Sequence, residues 1–153
     1  MNFRRLILPT IIATGLLAAA TLGVQQAYAH HAFAAEFDGK SPVLLRGKVT
    51  KVEWINPHAW VHVNVVEGAK ETEWMVEGGT PNTLLRAGID RNSLKPGTEI
   101  VVRGYQSKDK ACTPICKANG RDVTFPDGRK LFMGSSGTGA PKDGADAAEA
   151  PKK

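Results

Sequence analysis

The chain has 153 residues, enough for one domain of ordinary size, with 20 basic and 15 acidic residues and a net charge of +5. Two of the bases, Arg4 and Arg5, fall in an N-terminal leader, and without them the balance is +3, with several of the other charges in the tail. So small and dispersed an excess excludes nucleic-acid binding as the working hypothesis.

Residues 1–29 read as a Sec-type signal peptide. Arg4 and Arg5 form the positive region, Leu6 to Ala20 the apolar region, and Ala27-Tyr28-Ala29 a small-x-small cleavage site. An uncleaved membrane anchor is the alternative, but the apolar run is short for a span. Nothing later is long and apolar enough to cross a bilayer, so a periplasmic or secreted product starting at His30 is expected, with no membrane span after cleavage.

Residues 30–41 form a lead-in, in which Phe33 and Phe37 are spaced to anchor one helical turn on the domain. The domain is expected over 42–133. Val43 to Trp54 predicts a long first strand. Val43, Leu45, Gly47 and Val49 share one parity, while Val52 and Trp54 take the other, which suggests a bulge or a coiled strand bending round a barrel. Asn56-Pro57 breaks the run, because proline fixes φ and cannot donate to a ladder. Ala59 to Val66 predicts a strand with Val61, Val63 and Val65 on one face and Trp60, His62 and Asn64 on the other. Glu67 to Lys70 reads as a hairpin turn and Thr72 to Glu77 as the return strand.

Thr80 to Gly88 reads as a short helix with Thr80 as N-cap, Pro81 at the first position and Gly88 as stop, with Leu84 and Leu85 facing the core. Thr98 to Gln106 predicts a strand with Ile100 and Val102 inward. Cys112 and Cys116 follow. In an oxidising compartment a small-loop disulfide is the first reading, and a Cys-x3-Cys metal clip or redox pair the alternative. Arg121 to Phe125 and Lys130 to Phe132 predict strands around a Pro126-Asp127-Gly128 turn. From Gly134 on, the composition predicts a disordered tail, 134–153.

Three strands, a short helix, then two strands and a small hairpin is the order of an OB-fold, a mainly β, five-stranded Greek-key barrel with its helix between strands three and four. A β-sandwich fragment is the alternative, with too few strands for a typical sandwich.

Several motifs resemble one family. They are the His30-His31 start, Gly47-Lys48-Val49-x-Lys51-Val52-Glu53-Trp54-x-Asn56-Pro57-His58-Ala59, Gly79-Thr80-Pro81-Asn82-x-Leu84-x-Arg86-x-Gly88, Asn92 to Gly97, and Pro126 to Leu131. Together they resemble small exported bacterial proteins grouped as a domain of unknown function. The resemblance covers roughly residues 30–134 and implies export and fold but no activity. The Cys112/Cys116 loop is not part of that pattern.

The four histidines are His30, His31, His58 and His62. After cleavage, His30 would offer an α-amine and an imidazole and His31 a second imidazole, a donor set suited to copper and also to nickel or zinc. A nitrogen from His58 would complete a site resembling the histidine brace of copper proteins. If residues 58–62 were fully extended, His58 and His62 would lie ~13 Å apart, too far to share one ion, so His58 at the corner is the expected ligand. The alternative is a solvated terminus with His58 capping a turn.

The usual OB ligand face would carry Trp60, His62, Asn64 and Glu73, with Met75 and Glu77, suited to a cationic or sugar-like small ligand. The plainer alternative packs Trp60 under a neighbouring segment. Trp54 and Trp74 are expected in the core. Glu53 and Glu36 read as lone carboxylates, and no nucleophile with a base and orienting acid is evident. A non-enzymatic metal-binding protein is thus the first expectation. An interaction module using the Trp60/His62 face, in an envelope stress setting, is the second. A copper oxidase or oxygenase is the third.

Overall fold

The computed structural model describes residues 33–134. The expected leader, His30 and His31, and the expected tail from residue 135 on, lie outside the described residues. A helical turn at residues 33–36 leads into β1 (Phe37–Glu53), followed by β2 (Trp60–Glu67) and β3 (Lys70–Glu77). Then come α1 (Pro81–Arg86), β4 (Glu99–Ser107), β5 (Cys116–Thr124) and β6 (Lys130–Phe132).

The sheet order is β3-β2-β1-β4-β5-β6, and a parallel β3–β5 pairing closes five of the strands into a ring. With α1 between β3 and β4, this is the OB-like barrel expected from the order of elements. The 17-residue β1 makes closure geometrically feasible, pairing β4 through residues 37–48 and β2 through residues 47–53. A circuit of paired residues shows the tilt. From Pro42 it runs through Tyr105, Asn119, Glu77 and Trp60, and returns to β1 at Glu53, eleven residues further on. The expected slip is also present: the β1–β2 register shifts between Val49 and Lys51, leaving Thr50 as the extra residue of a bulge.

Strict alternation puts Val61, Val63 and Val65 into the barrel, where they meet Leu45, Val49, Val76, Ile100, Val102 and Val123, all at most 5% exposed. Each such side chain contributes about 1.5–3 kcal/mol on burial. Trp54 and Trp74 are only partly buried and pack against this core from its margin. The helix signals act as expected. The Thr80 hydroxyl accepts from the Thr83 amide at 3.1 Å, and Gly88 ends the helix at a φ of +85°.

Four expectations need correction. Leu84 is fully buried but Leu85 is 53% exposed, because only one of two consecutive residues can face the barrel from a helix this short. The first strand begins at Phe37, not Val43, since Phe37 pairs with Ser107 before the register shifts to Pro42 and Tyr105. The fifth strand begins at Cys116 rather than Arg121, because residues 116–119 make the parallel pairing with β3. Glu53 is not a lone carboxylate, as described below. Cys112 and Cys116 are joined by a disulfide that fastens the loop to the start of β5.

The lead-in builds a second, smaller core on the outside of the barrel. Phe33, Phe37 and Tyr105 are each at most 5% exposed, with Phe33 and Tyr105 edge-to-face at 5.5 Å. The Glu36 carbonyl accepts from the Lys108 amide at 2.9 Å, and the Ala34 carbonyl from the Lys108 ammonium, tying the turn to the end of β4. Among the described residues no helix is long and apolar enough to cross a membrane.

Candidate functional site

The corner between β1 and β2 is built by residues 54–59, with a cis Asn56–Pro57 bond. It is held from behind. The Ala59 amide donates to the Gly79 carbonyl at 3.0 Å, and the Ala59 carbonyl accepts from Gly78 at 2.8 Å. Ala59 is fully buried, so the backbone of His58 is fixed at the edge of the core.

His58 is half-buried, and its Nδ1 lies 3.3 Å from the Gly78 carbonyl and 3.9 Å from Glu77 Oε1. A carbonyl can only accept, so Nδ1 carries the hydrogen, and in the neutral ring Nε2 keeps its lone pair. Among the described residues nothing bonds to Nε2. A ring nitrogen hydrogen held by a carbonyl or carboxylate, with the other nitrogen free, is the usual arrangement of a metal-ligating histidine.

Glu77 is 6% exposed and accepts from Asn119 Nδ2 at 3.1 Å. Burial pushes its carboxyl above the ordinary carboxylate range, the charge of His58 and the Asn119 bond pull it back, and Glu36 adds a smaller upward push. That Glu36 acts on Glu77 places the lead-in turn within electrostatic reach of the corner. The register agrees: Tyr105, under the ring of Phe33, pairs with Asn119, and Asn119 with Glu77.

The residues of the expected ligand face pair directly across β2 and β3, Trp60 with Glu77, His62 with Met75 and Asn64 with Glu73. Glu77 departs from the expectation by turning to Asn119 under the lead-in. His62 is 8% exposed; its Nε2 lies 3.1 Å from Glu53 Oε1 and its Nδ1 3.4 Å from Glu73 Oε1. Both contacts are hydrogen bonds at once only when both nitrogens carry hydrogen. The Thr50 hydroxyl donates to Glu73 at 3.0 Å, and Lys51 Nζ stands 2.6 Å from Glu53 Oε1. The Lys51 ammonium, with help from His62, holds the Glu53 carboxyl below the ordinary range. Asn64 donates to Glu71 at 3.4 Å, and Trp60 is partly exposed beside this network.

His58 and His62 therefore have different partners and belong to different clusters. Among the described residues, no group of three or more His, Cys, Asp or Glu side chains is placed to hold a metal. Asn119 and the buried state of Glu77 escaped the sequence reading, because the strand expected from Arg121 leaves Asn119-Gly120 outside it, after the cysteine loop. The only signal available was that an Asn-Gly pair can also occupy a strand where the backbones come close.

Residues 18–115 match the model of a family described as a family of unknown function (DUF6152). No curated protein matches the chain.

Proposed function

The chain belongs to DUF6152, a family of unknown function, and we propose that it is an exported, non-enzymatic binding protein for a transition metal, copper first. The ligands in this reading are His58 Nε2, the α-amine and imidazole of His30, and the imidazole of His31. The observation that carries it is the hold on His58, with Nδ1 against the Gly78 carbonyl and Glu77 and with Nε2 open. Reach supports it too. His30 precedes Phe33 by three residues, a span of about 10 Å when extended, and Phe33 is anchored on Tyr105 in the row that leads to Glu77. Nitrogen donors of this kind favour Cu(II) among the divalent ions.

The test uses the mature protein with an authentic His30 start, titrated with Cu(II) and followed by EPR and calorimetry. His58→Ala, and separately one extra residue before His30, should each weaken binding by more than the ~10–100-fold that losing a ligand's hydrogen-bond partner costs. Unchanged affinity in both variants would sink the reading.

A second reading is favoured by the network around His62. Glu53, His62, Glu73 and Thr50 form a fixed polar platform beside the partly exposed Trp60. In that reading the β1–β2–β3 face binds a small cationic or sugar-like ligand without metal. Quenching of tryptophan fluorescence by such a ligand, abolished in Trp60→Ala and kept in His58→Ala, would select it.

A further inference from the structure

The ring closes through its shortest ladder. β3 and β5 pair only through residues 74–77 and 116–119, four rungs, whereas β1–β4 and β2–β3 each pair through eight. The first rung is Trp74 with Cys116 and the last is Glu77 with Asn119. Cys116 is 1% exposed and is joined to Cys112, which is exposed. The disulfide thus stands at one end of the closing ladder, and the Glu77–Asn119 bond beside His58 at the other, about 10 Å along the strand. On its β4 side the cysteine loop has bonds of its own. The Ser107 hydroxyl donates to Asp109 at 2.7 Å, the Ala111 amide to the same carboxylate at 3.2 Å, and the Lys110 amide to the Ser107 carbonyl at 3.2 Å. Opening the disulfide leaves those bonds in place and releases the tie to Cys116, the first residue of β5.

We propose that the Cys112–Cys116 disulfide is a redox switch on the corner. A dithiol reductant opens it, the β3–β5 ladder frays from its Trp74–Cys116 end, and the hold of Asn119 on Glu77 beside His58 loosens. The exposed residue is the one a thiolate reaches from solvent, so attack falls on Cys112. One thiolate of the reductant bonds to the Cys112 sulfur as the S–S bond breaks, and the electron pair leaves on Cys116, which takes up a proton. The reductant's second thiol then displaces Cys112. The reductant ends as a disulfide and the chain as two thiols, a two-electron exchange. Opening so short a ladder costs less than unfolding the barrel, because the longer ladders stay paired. The effect on copper rests on the metal reading, and the fraying of the ladder does not.

The test treats the folded mature protein with dithiothreitol, without denaturant, and follows amide hydrogen exchange. Amides donated across the β3–β5 ladder should exchange about tenfold faster or more after reduction, the scale of a lost short-loop constraint. Amides donated across β1–β2 and β2–β3 should keep their rates. Cys112→Ala combined with Cys116→Ala has no thiol to bind the metal itself. By calorimetry it should bind Cu(II) about tenfold more weakly than the oxidised protein, the low end of losing a ligand's hydrogen-bond partner. If neither protein binds Cu(II), the metal reading fails and the exchange rates alone decide the switch. The proposal is overturned if the disulfide resists dithiothreitol until the barrel is unfolded, or if exchange across the β3–β5 ladder is unchanged by reduction. It is equally overturned if exchange rises alike in every ladder, or if the disulfide-free variant binds Cu(II) as tightly as the oxidised protein.

Discussion

Gly47 leaves no room for a side chain. A Cβ there would lie 2.2 Å from the Asn64 carbonyl oxygen, a backbone atom that cannot move without dragging β2 with it. The pairing of β1 passes from β4 to β2 here, for Gly47 is paired with both Ile100 and Val65. Gly47→Ala should therefore cost about 2–3 kcal/mol or more, read as a lower urea midpoint at unchanged slope. A cost under ~0.5 kcal/mol would mean that β1 is freer to shift than its register implies. His58 was legible as a candidate at this scale because proline marks its corner. Its partner was not: Glu77 and Asn119 are 42 residues apart and meet only through the parallel β3–β5 pairing. Glu53 was misread for the same reason, since its contact with His62 depends on register and not on sequence spacing.

Among the elements, α1 shows how little a short helix needs in order to dock. Leu84 is its one buried residue, and Leu85 next to it faces away. Leu84→Ala should cost ~2–5 kcal/mol and Leu85→Ala well under 1 kcal/mol, a contrast that thermal melts of the two variants would resolve. The loop after α1 depends on a charge. Asp90 Oδ1 accepts from the Ser93 hydroxyl and amide, both at 2.7 Å, and from the Asn92 amide at 3.0 Å. These bonds, the Ser93 hydroxyl first, hold its carboxyl below the ordinary value of 3.8. With the folded value depressed, the charged form stabilises the fold above the ordinary range, and that stability is lost as pH falls through the folded value. Asp90→Asn should melt below the wild type at pH 7, and the gap should narrow as pH drops below about 4. A gap that widens in acid would contradict the assignment.

For the molecule as a whole, the barrel was legible because its strongest signals are local. Val61, Val63 and Val65 declare a strand, Thr80-Pro81 declares a helix start, and the parity change after Val49 declares the bulge. The segments that close the ring were harder to read. Residues 38–42, Asp-Gly-Lys-Ser-Pro, have the composition of a loop yet belong to β1. Residues 117–120, Lys-Ala-Asn-Gly, look like a turn yet run through β5, because Gly104 lets the β4 and β5 backbones approach closely and Gly120 leaves room for the side chains of Val76 and Met133. Closure is a long-range property, and in these segments composition suits close backbone contact better than it suits a typical strand. The corner inherits that limit, since it is assembled from strands that meet only when the ring is complete.

The turn between β2 and β3 has only Gly68 and Ala69 beyond the last paired residues, Glu67 and Lys70, and Gly68 takes a φ of +64° with nothing within 4 Å of where a side chain would start. It is an open joint on the rim of a closed cylinder. Cut there, the chain becomes a two-stranded piece and a piece carrying α1 and the other four strands, neither of which can make a ring alone. Their seams are the β2–β3 and β1–β4 ladders, which together hold eight residues of each hairpin strand and most of β4. The two pieces, expressed together, should elute as a one-to-one complex with the circular-dichroism spectrum of the intact chain, while either alone stays unfolded. If they do, the barrel is a ready split reporter: fused to two other proteins, its halves would regain structure only when those proteins meet.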